Sequence, residues 1–441
     1  MFSSYNKILP TIISLIMVNH LSASEWVDLG TSEPSEPSWE VNSMSTSNLE
    51  ISLQLKGYVM EQIRDGKNRI SFPGGVPILE RGAPNLPRMA RSIIIPDLAH
   101  MELSIIETDF VDIDMSDIEP SKGNLTRDVV PATIPYVYGK SYEIDEFYPS
   151  EIAFLREPYI LRTLRGQAVV FQPVQYNPVQ RVLRVYTHIN ISIQEDGVSQ
   201  VNLLTRRPSN AGSREFEHMY RDHFINFPTN ERYDILSEEG PMLVICHGDF
   251  LDEMQTFVDW KNYKGIPTEM VDVADVGDVD AMEQFIEDQY YENGIAFVLL
   301  VGDIDQIESI RRSNGNGSNS PSDNSFSFVA GDDYYPDLMI GRFSAETGVH
   351  VETMVERTIS YEMNPDPEGV WYKKGAGFAS NQGPGDDGED DDEHMDNIRD
   401  LLLGYTYDEI DQVYDPNGTV ADGEVAINSG RSIINYTGHG S

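Results

Sequence analysis

Two hydrophobic rhythms divide this chain, and no single fold class satisfies both. From about residue 49 to 199, apolar residues alternate in short runs broken by Gly, Pro, Asn and Asp. Examples are Ile51-Ser52-Leu53-Gln54-Leu55, Ser92-Ile93-Ile94-Ile95, Ala168-Val169-Val170-Phe171 and Val182-Leu183-Arg184-Val185-Tyr186, with Asn190-Ile191-Ser192-Ile193 as a closing strand. A period of two with no helix-length segment predicts an all-β sandwich over residues 49–205. From Pro241 onward, short apolar runs alternate with helical patterns. Strands are expected at 242–246, 269–273, 296–301, 338–340, 376–379, 410–414 and after Arg431, with helices at 251–264, 279–291, 346–362, 393–403 and 420–428. That alternation predicts a doubly wound, mostly parallel α/β sheet over residues 239–441. With 441 residues, two cores are also what chain length favours.

The flanks read differently. Residues 1–24 carry Lys7, an apolar stretch from Ile8 to Val18 and small residues at Ser22, Ala23 and Ser24. These features match a secretory signal peptide, too short to span a bilayer, and place the protein outside the cell or on its surface. Residues 25–48 are rich in Ser, Pro and Glu and are expected to form a disordered linker. Residues 206–238 form a polar and aromatic connection with the basic pair Arg206-Arg207, a candidate processing region. A net charge of -42 disfavours nucleic acid, and no later stretch is long and apolar enough to form a membrane span. Cys246 is the only cysteine, so no disulfide framework exists.

Few residues could carry chemistry. His439 lies in Gly438-His439-Gly440 just past an apolar strand, where glycines allow close substrate approach; it is either a hydrogen-bonded loop histidine or a catalytic one. Cys246 precedes His247, but neighbouring strand residues point to opposite faces, so the two cannot pair. A lone thiol in an apolar strand reads as a buried small hydrophobe. The run from Gly383 to His394 is a solvated acidic loop, a cation site or a pocket for a basic group. Asp303, Asp332, Asp333 and Asp337, in acidic turns beyond strands, are weak calcium candidates.

Taken together, several stretches resemble the gingipain family of cysteine endopeptidases, within the caspase-like clan, and that family's propeptide. In the α/β half they are Phe257-Val258-Asp259-Trp260-Lys261, Val298-Leu299-Leu300-Val301-Gly302-Asp303, Ile340-Gly341-Arg342-Phe343-Ser344, the Gly388-Glu389 loop and Asn435-Tyr436-Thr437-Gly438-His439-Gly440-Ser441. In the β half they are Gly82-Ala83-Pro84-Asn85-Leu86-Pro87 and Val174-Gln175-Tyr176-Asn177-Pro178. The resemblance implies a zymogen whose β prodomain contacts and restrains a caspase-like peptidase acting on protein or peptide substrates after Arg or Lys. It makes His439 the catalytic histidine, the Gly440 backbone an oxyanion donor, and Asp391 the acid of the specificity pocket. Gln382 occupies the position where an acid orients the histidine, which leaves a non-catalytic binding or scaffold protein as the alternative. The family's nucleophile is a cysteine downstream of Ser441, so residues 1–441 by themselves are expected to be inactive. No cofactor is required by that chemistry, and structural calcium is an expectation.

Overall fold

The computed structural model describes residues 23–63, 66–209, 212–228, 239–313, 319–385 and 388–438. The N-terminal half is antiparallel β throughout, in three sheets of three, four and five strands. Alternation builds its core directly. Leu49, Ile51 and Leu53 of the Asn48–Gln54 strand stand opposite Ile193, Ile191 and Ile189 of the Val182–Val198 strand. All six are buried, each contributing roughly 1.5–3 kcal/mol on removal from water. The stretches expected as two strands, Val182 to Tyr186 and Asn190 to Ile193, are one strand of 17 residues. Between them Thr187 falls at a register shift, and His188 pairs on both edges, with Gln54 and with Asp109.

Residues 25–48 are not a disordered linker. Ala23–Asp28 pairs antiparallel with Gly57–Gln62, and Ser38–Ser45 with Asn48–Gln54. Two tryptophans explain the difference. The Trp26 ring lies so close to Gly57 that any Cβ there would meet it at 2.1 Å, and Trp39 sits edge-on against Phe171 with centroids 4.9 Å apart. Ser, Pro and Glu dominate the composition of this stretch, but two large rings suffice to dock it. Of the expected leader, residues 1–22 lie outside the described residues, and Ala23 and Ser24 open the first strand.

The connection is also more ordered than its composition predicts. Arg214–His223 is a helix that buries Phe216 and Tyr220, and Phe224 follows them inward. Arg206 lies over the Tyr291 ring at 4.1 Å, and Arg207 Nη2 donates to Asp97 Oδ1 at 2.7 Å. Residues 229–238 lie outside the described residues.

In the C-terminal half the parallel strands fall into two sheets rather than one. Thr268–Asp272, Met242–Cys246, Phe297–Val301 and Met339–Phe343 are neighbours in that order, and Glu409–Tyr414, Lys374–Ala379 and Ile433–Thr437 form the second sheet. Hydrophobic period specifies which face of a strand is buried but not which edges join. Here the Gly348–Met363 helix and the Asn364-to-Gly369 turn carry the chain away before the second sheet starts. Residues of the β half enter the first of these cores: Ile160 and Leu204 pack with Leu243, Tyr290, Val298 and Leu338. Among the described residues no helix is long and apolar enough to cross a membrane.

Candidate active site

The site is built at the carboxyl ends of the second sheet, where parallel strands release their loops on one side. Lys374–Ala379 runs into Ser380, whose N–H donates to Thr437 O at 2.9 Å and so fixes the end of the neighbouring strand. Gly438 follows. A Cβ on it would lie 2.8 Å from the Tyr436 hydroxyl and in ordinary contact, 3.4 Å, with the Ser380 Cβ, so the chain passes beside Ser380 at this point. His439 and Gly440, one and two residues further on, lie outside the described residues.

Beyond Ser380 the chain loops round to the Asp391–Tyr405 helix, which starts two residues earlier than its apolar pattern predicts. Asp391 is therefore its first helical residue, where a negative charge complements the helix dipole. Its side chain is 3% exposed. The backbone N–H of Asp391 donates to Gln382 O at 2.8 Å, and the Ser380 hydroxyl donates to Asp391 Oδ2. Ser380 thus touches both the strand that leads to His439 and the carboxylate.

The second oxygen of that carboxylate is taken by the other half of the molecule. Arg127 Nε donates to Asp391 Oδ1 at 2.5 Å, and Arg127 Nη2 donates to Glu389 O at 3.2 Å. Gly385 permits this approach. It has φ +53°, and a Cβ there would sit 3.3 Å from Arg127 Cα and 3.4 Å from Leu125 O. A buried carboxylate with a hydroxyl on one oxygen and a backbone carbonyl beside it is a site for a guanidinium, whose planar donors match both acceptors.

This partition, an arginine from the β half seated on a carboxylate at the strand ends of the α/β half, coincides with two family matches. The Propeptide_C25 model matches residues 38–233, and that of Peptidase family C25 matches residues 235–441. The chain belongs to peptidase family C25. Gingipain R1 of Porphyromonas gingivalis is 34% identical over 446 aligned residues, covering 99% of this chain and 44% of that protein. Gingipain R2 of the same organism is 38% identical over 380, covering 84% of this chain and 51% of that protein. The chain thus spans about half the length of these two relatives. The solved complex of P. gingivalis RgpB pro- and mature domains is 34% identical, covers 43% of this chain and 98% of its own, and has a TM-score of 0.39.

Within the C25 peptidase half, the other sequence candidates take different places. Cys246 is fully buried among Val244, Phe250, Met254 and Val301, and burial, with Asp272 and Glu253 nearby, pushes its thiol up to about 12. A thiol so placed is no nucleophile at neutral pH. Gln382 lies on the loop that follows Ser380, and its carbonyl serves Asp391. The acidic turns do not converge: among the described residues no group of three or more His, Cys, Asp or Glu could hold a metal ion. Asp337 accepts the N–H groups of Val329, Ala330 and Arg162, and Asp333 those of Ile160 and Tyr335. Asp303 accepts from the Ser344 hydroxyl. Asp333 and Asp337, two of the four candidates, thus each hold backbone N–H groups on both carboxylate oxygens.

Two residues of the site escape sequence reasoning. Ser380 is an ordinary strand-end serine, and Arg127 sits in Asn124-Leu125-Thr126-Arg127-Asp128, a stretch without periodicity. Only the fold brings Arg127 across 264 positions to Asp391.

Proposed function

We propose that this chain is the propeptide and N-terminal peptidase portion of an exported gingipain-like cysteine endopeptidase zymogen that cleaves after arginine. The observation that carries the reading is Arg127 on Asp391. A propeptide arginine that satisfies a buried carboxylate stands where the side chain preceding the cut bond would bind, and it blocks that pocket until the propeptide leaves. Lysine is the weaker substrate: its single ammonium can meet Asp391 but does not offer the fork that spans Asp391 Oδ1 and Glu389 O.

In the reaction the family resemblance implies, a thiolate attacks the scissile carbonyl and His439 delivers a proton to the leaving amine, with the Gly440 N–H stabilising the oxyanion. The resemblance assigns that thiolate to a cysteine other than the buried Cys246, so the test uses the complete gene product. After removal of the propeptide it should hydrolyse arginine reporter peptides at least tenfold faster than lysine ones, and Asp391→Asn should lower kcat/KM for arginine by about tenfold to a hundredfold. Equal rates for arginine and lysine, or indifference to Asp391→Asn, would remove the pocket assignment. A gene product that cleaves neither peptide would favour a non-catalytic role for the fold.

A further inference from the structure

A second propeptide arginine enters the peptidase half far from Asp391 in sequence, and it does so by an unusual route. Arg162 and Thr163 form the two-residue turn between the strands Ala153–Leu161 and Leu164–Phe171, with Leu161 and Leu164 paired across it. Such turns favour Asn or Gly because the backbone must enter the left-handed region. Here a long side chain is held at φ +50°. Backbone strain of this kind persists where the surroundings fix the residue for another purpose.

Those surroundings are a socket on the peptidase half. Arg162 Nη1 donates to Asp337 O at 2.8 Å and Ile295 O at 3.0 Å, and Nη2 to Gly294 O at 2.9 Å. Gly294 caps the C-terminal end of the Val279–Asn293 helix, the end that favours a cation. The Arg162 backbone is held as well: its N–H donates to Asp337 Oδ1 at 2.7 Å, and Tyr290 donates from its hydroxyl to Arg162 O at 3.0 Å. The guanidinium lies 4.9 Å from the Phe216 ring centre and 5.4 Å from that of Tyr290. No part of Arg162 reaches solvent.

We propose that this socket, formed by the carbonyls of Gly294, Ile295 and Asp337 with the Tyr290 ring and hydroxyl, is the docking site that retains the propeptide, and that its ligand is an arginine at the tip of a β-hairpin. Arg162 then sets how long a cleaved propeptide stays attached, whereas Arg127 sets whether the Asp391 pocket is open. This inference concerns docking and does not depend on the proteolytic assignment.

The test cuts the full chain at a specific protease site placed within residues 229–238 and follows separation of the two fragments by size-exclusion chromatography and surface-immobilised dissociation. Arg162→Gly is the informative variant, because glycine relaxes the turn while deleting the guanidinium. The expected result is dissociation about tenfold faster or more for Arg162→Gly, with Arg127→Ala within about threefold of the parent. Tyr290→Phe, which keeps the ring and removes one donor on the peptidase side, should speed dissociation by about threefold. Dissociation of Arg162→Gly at the parent rate or slower would mean the residue serves only the turn. An Arg127→Ala effect as large as that of Arg162→Gly would place retention at the pocket. Either outcome overturns the proposal.

Discussion

Of the arginines that cross from the propeptide to the peptidase half, Arg127 and Arg162 are held in opposite ways. The Arg127 side chain is 33% exposed, and its contacts among the described residues include a buried carboxylate and a carbonyl. Arg162 is wholly buried, and its guanidinium meets carbonyls and rings but no carboxylate. A contact of the first kind can be reproduced by an incoming arginine side chain, so it suits a pocket that must later exchange occupants. A contact of the second kind encloses the backbone as well as the side chain, and no free arginine side chain could replace it. On the proposed reading, the contrast separates blocking from docking within one propeptide.

The largest effect expected from breaking that contrast is on stability. Arg162→Ala leaves the carbonyls of Gly294, Ile295 and Asp337 without their donors inside a core, and should lower the stability of the intact chain by about 3 kcal/mol, read from urea unfolding. Arg127→Ala, at a partly solvated site, should cost no more than about 1–2 kcal/mol in the same experiment. Equal losses would erase the distinction between the two contacts.

Acid supplies an intermediate effect that probes the helices of the first peptidase sheet. Burial opposes ionisation of Glu362, but hydrogen bonds from Lys261, Lys264 and Trp260 outweigh it and hold the carboxyl down at about 2. The pair ties the Leu251–Tyr263 helix to the Gly348–Met363 helix. A carboxyl whose folded pKa is depressed stabilises the fold above its unfolded value and loses that contribution as pH falls towards the folded one. The peptidase half should therefore lose roughly 2–3 kcal/mol between about pH 4.5 and pH 2, and Glu362→Gln should flatten that part of the profile. Thermal melts across this range check it. An unchanged slope in Glu362→Gln would assign acid lability elsewhere.

How much of this was legible beforehand differs between the two halves for physical reasons. Periodicity specified most strands and helices because each buries one face, as the Leu49, Ile51 and Leu53 row shows. It did not specify edge pairing, so the division of parallel strands into two sheets was invisible. Composition misled over residues 25–48, where Trp26 and Trp39 outweigh their polar neighbours. Asp391 is singled out in the sequence only through resemblance, and nothing local marks Arg127, Arg162 or Ser380, whose contacts form only across the interface or at a strand end. Asp333 and Asp337 show in the sequence only as charge, and the backbone N–H groups that meet them become visible only in the fold.

The smallest effect expected concerns Cys246. Cys246→Ser should leave peptidase activity of the processed gene product unchanged and destabilise the chain by about 1–2 kcal/mol, since it buries a hydroxyl among apolar side chains. Lost activity with an intact fold would reopen Cys246 as a nucleophile.

The most direct measurement is isothermal titration of the intact chain with a short peptide ending in arginine. With Arg127 seated on Asp391, the parent should give no binding heat, Arg127→Ala should bind the peptide, and adding Asp391→Asn to that variant should abolish binding. Equal binding by the parent and Arg127→Ala would contradict an arginine-blocked pocket.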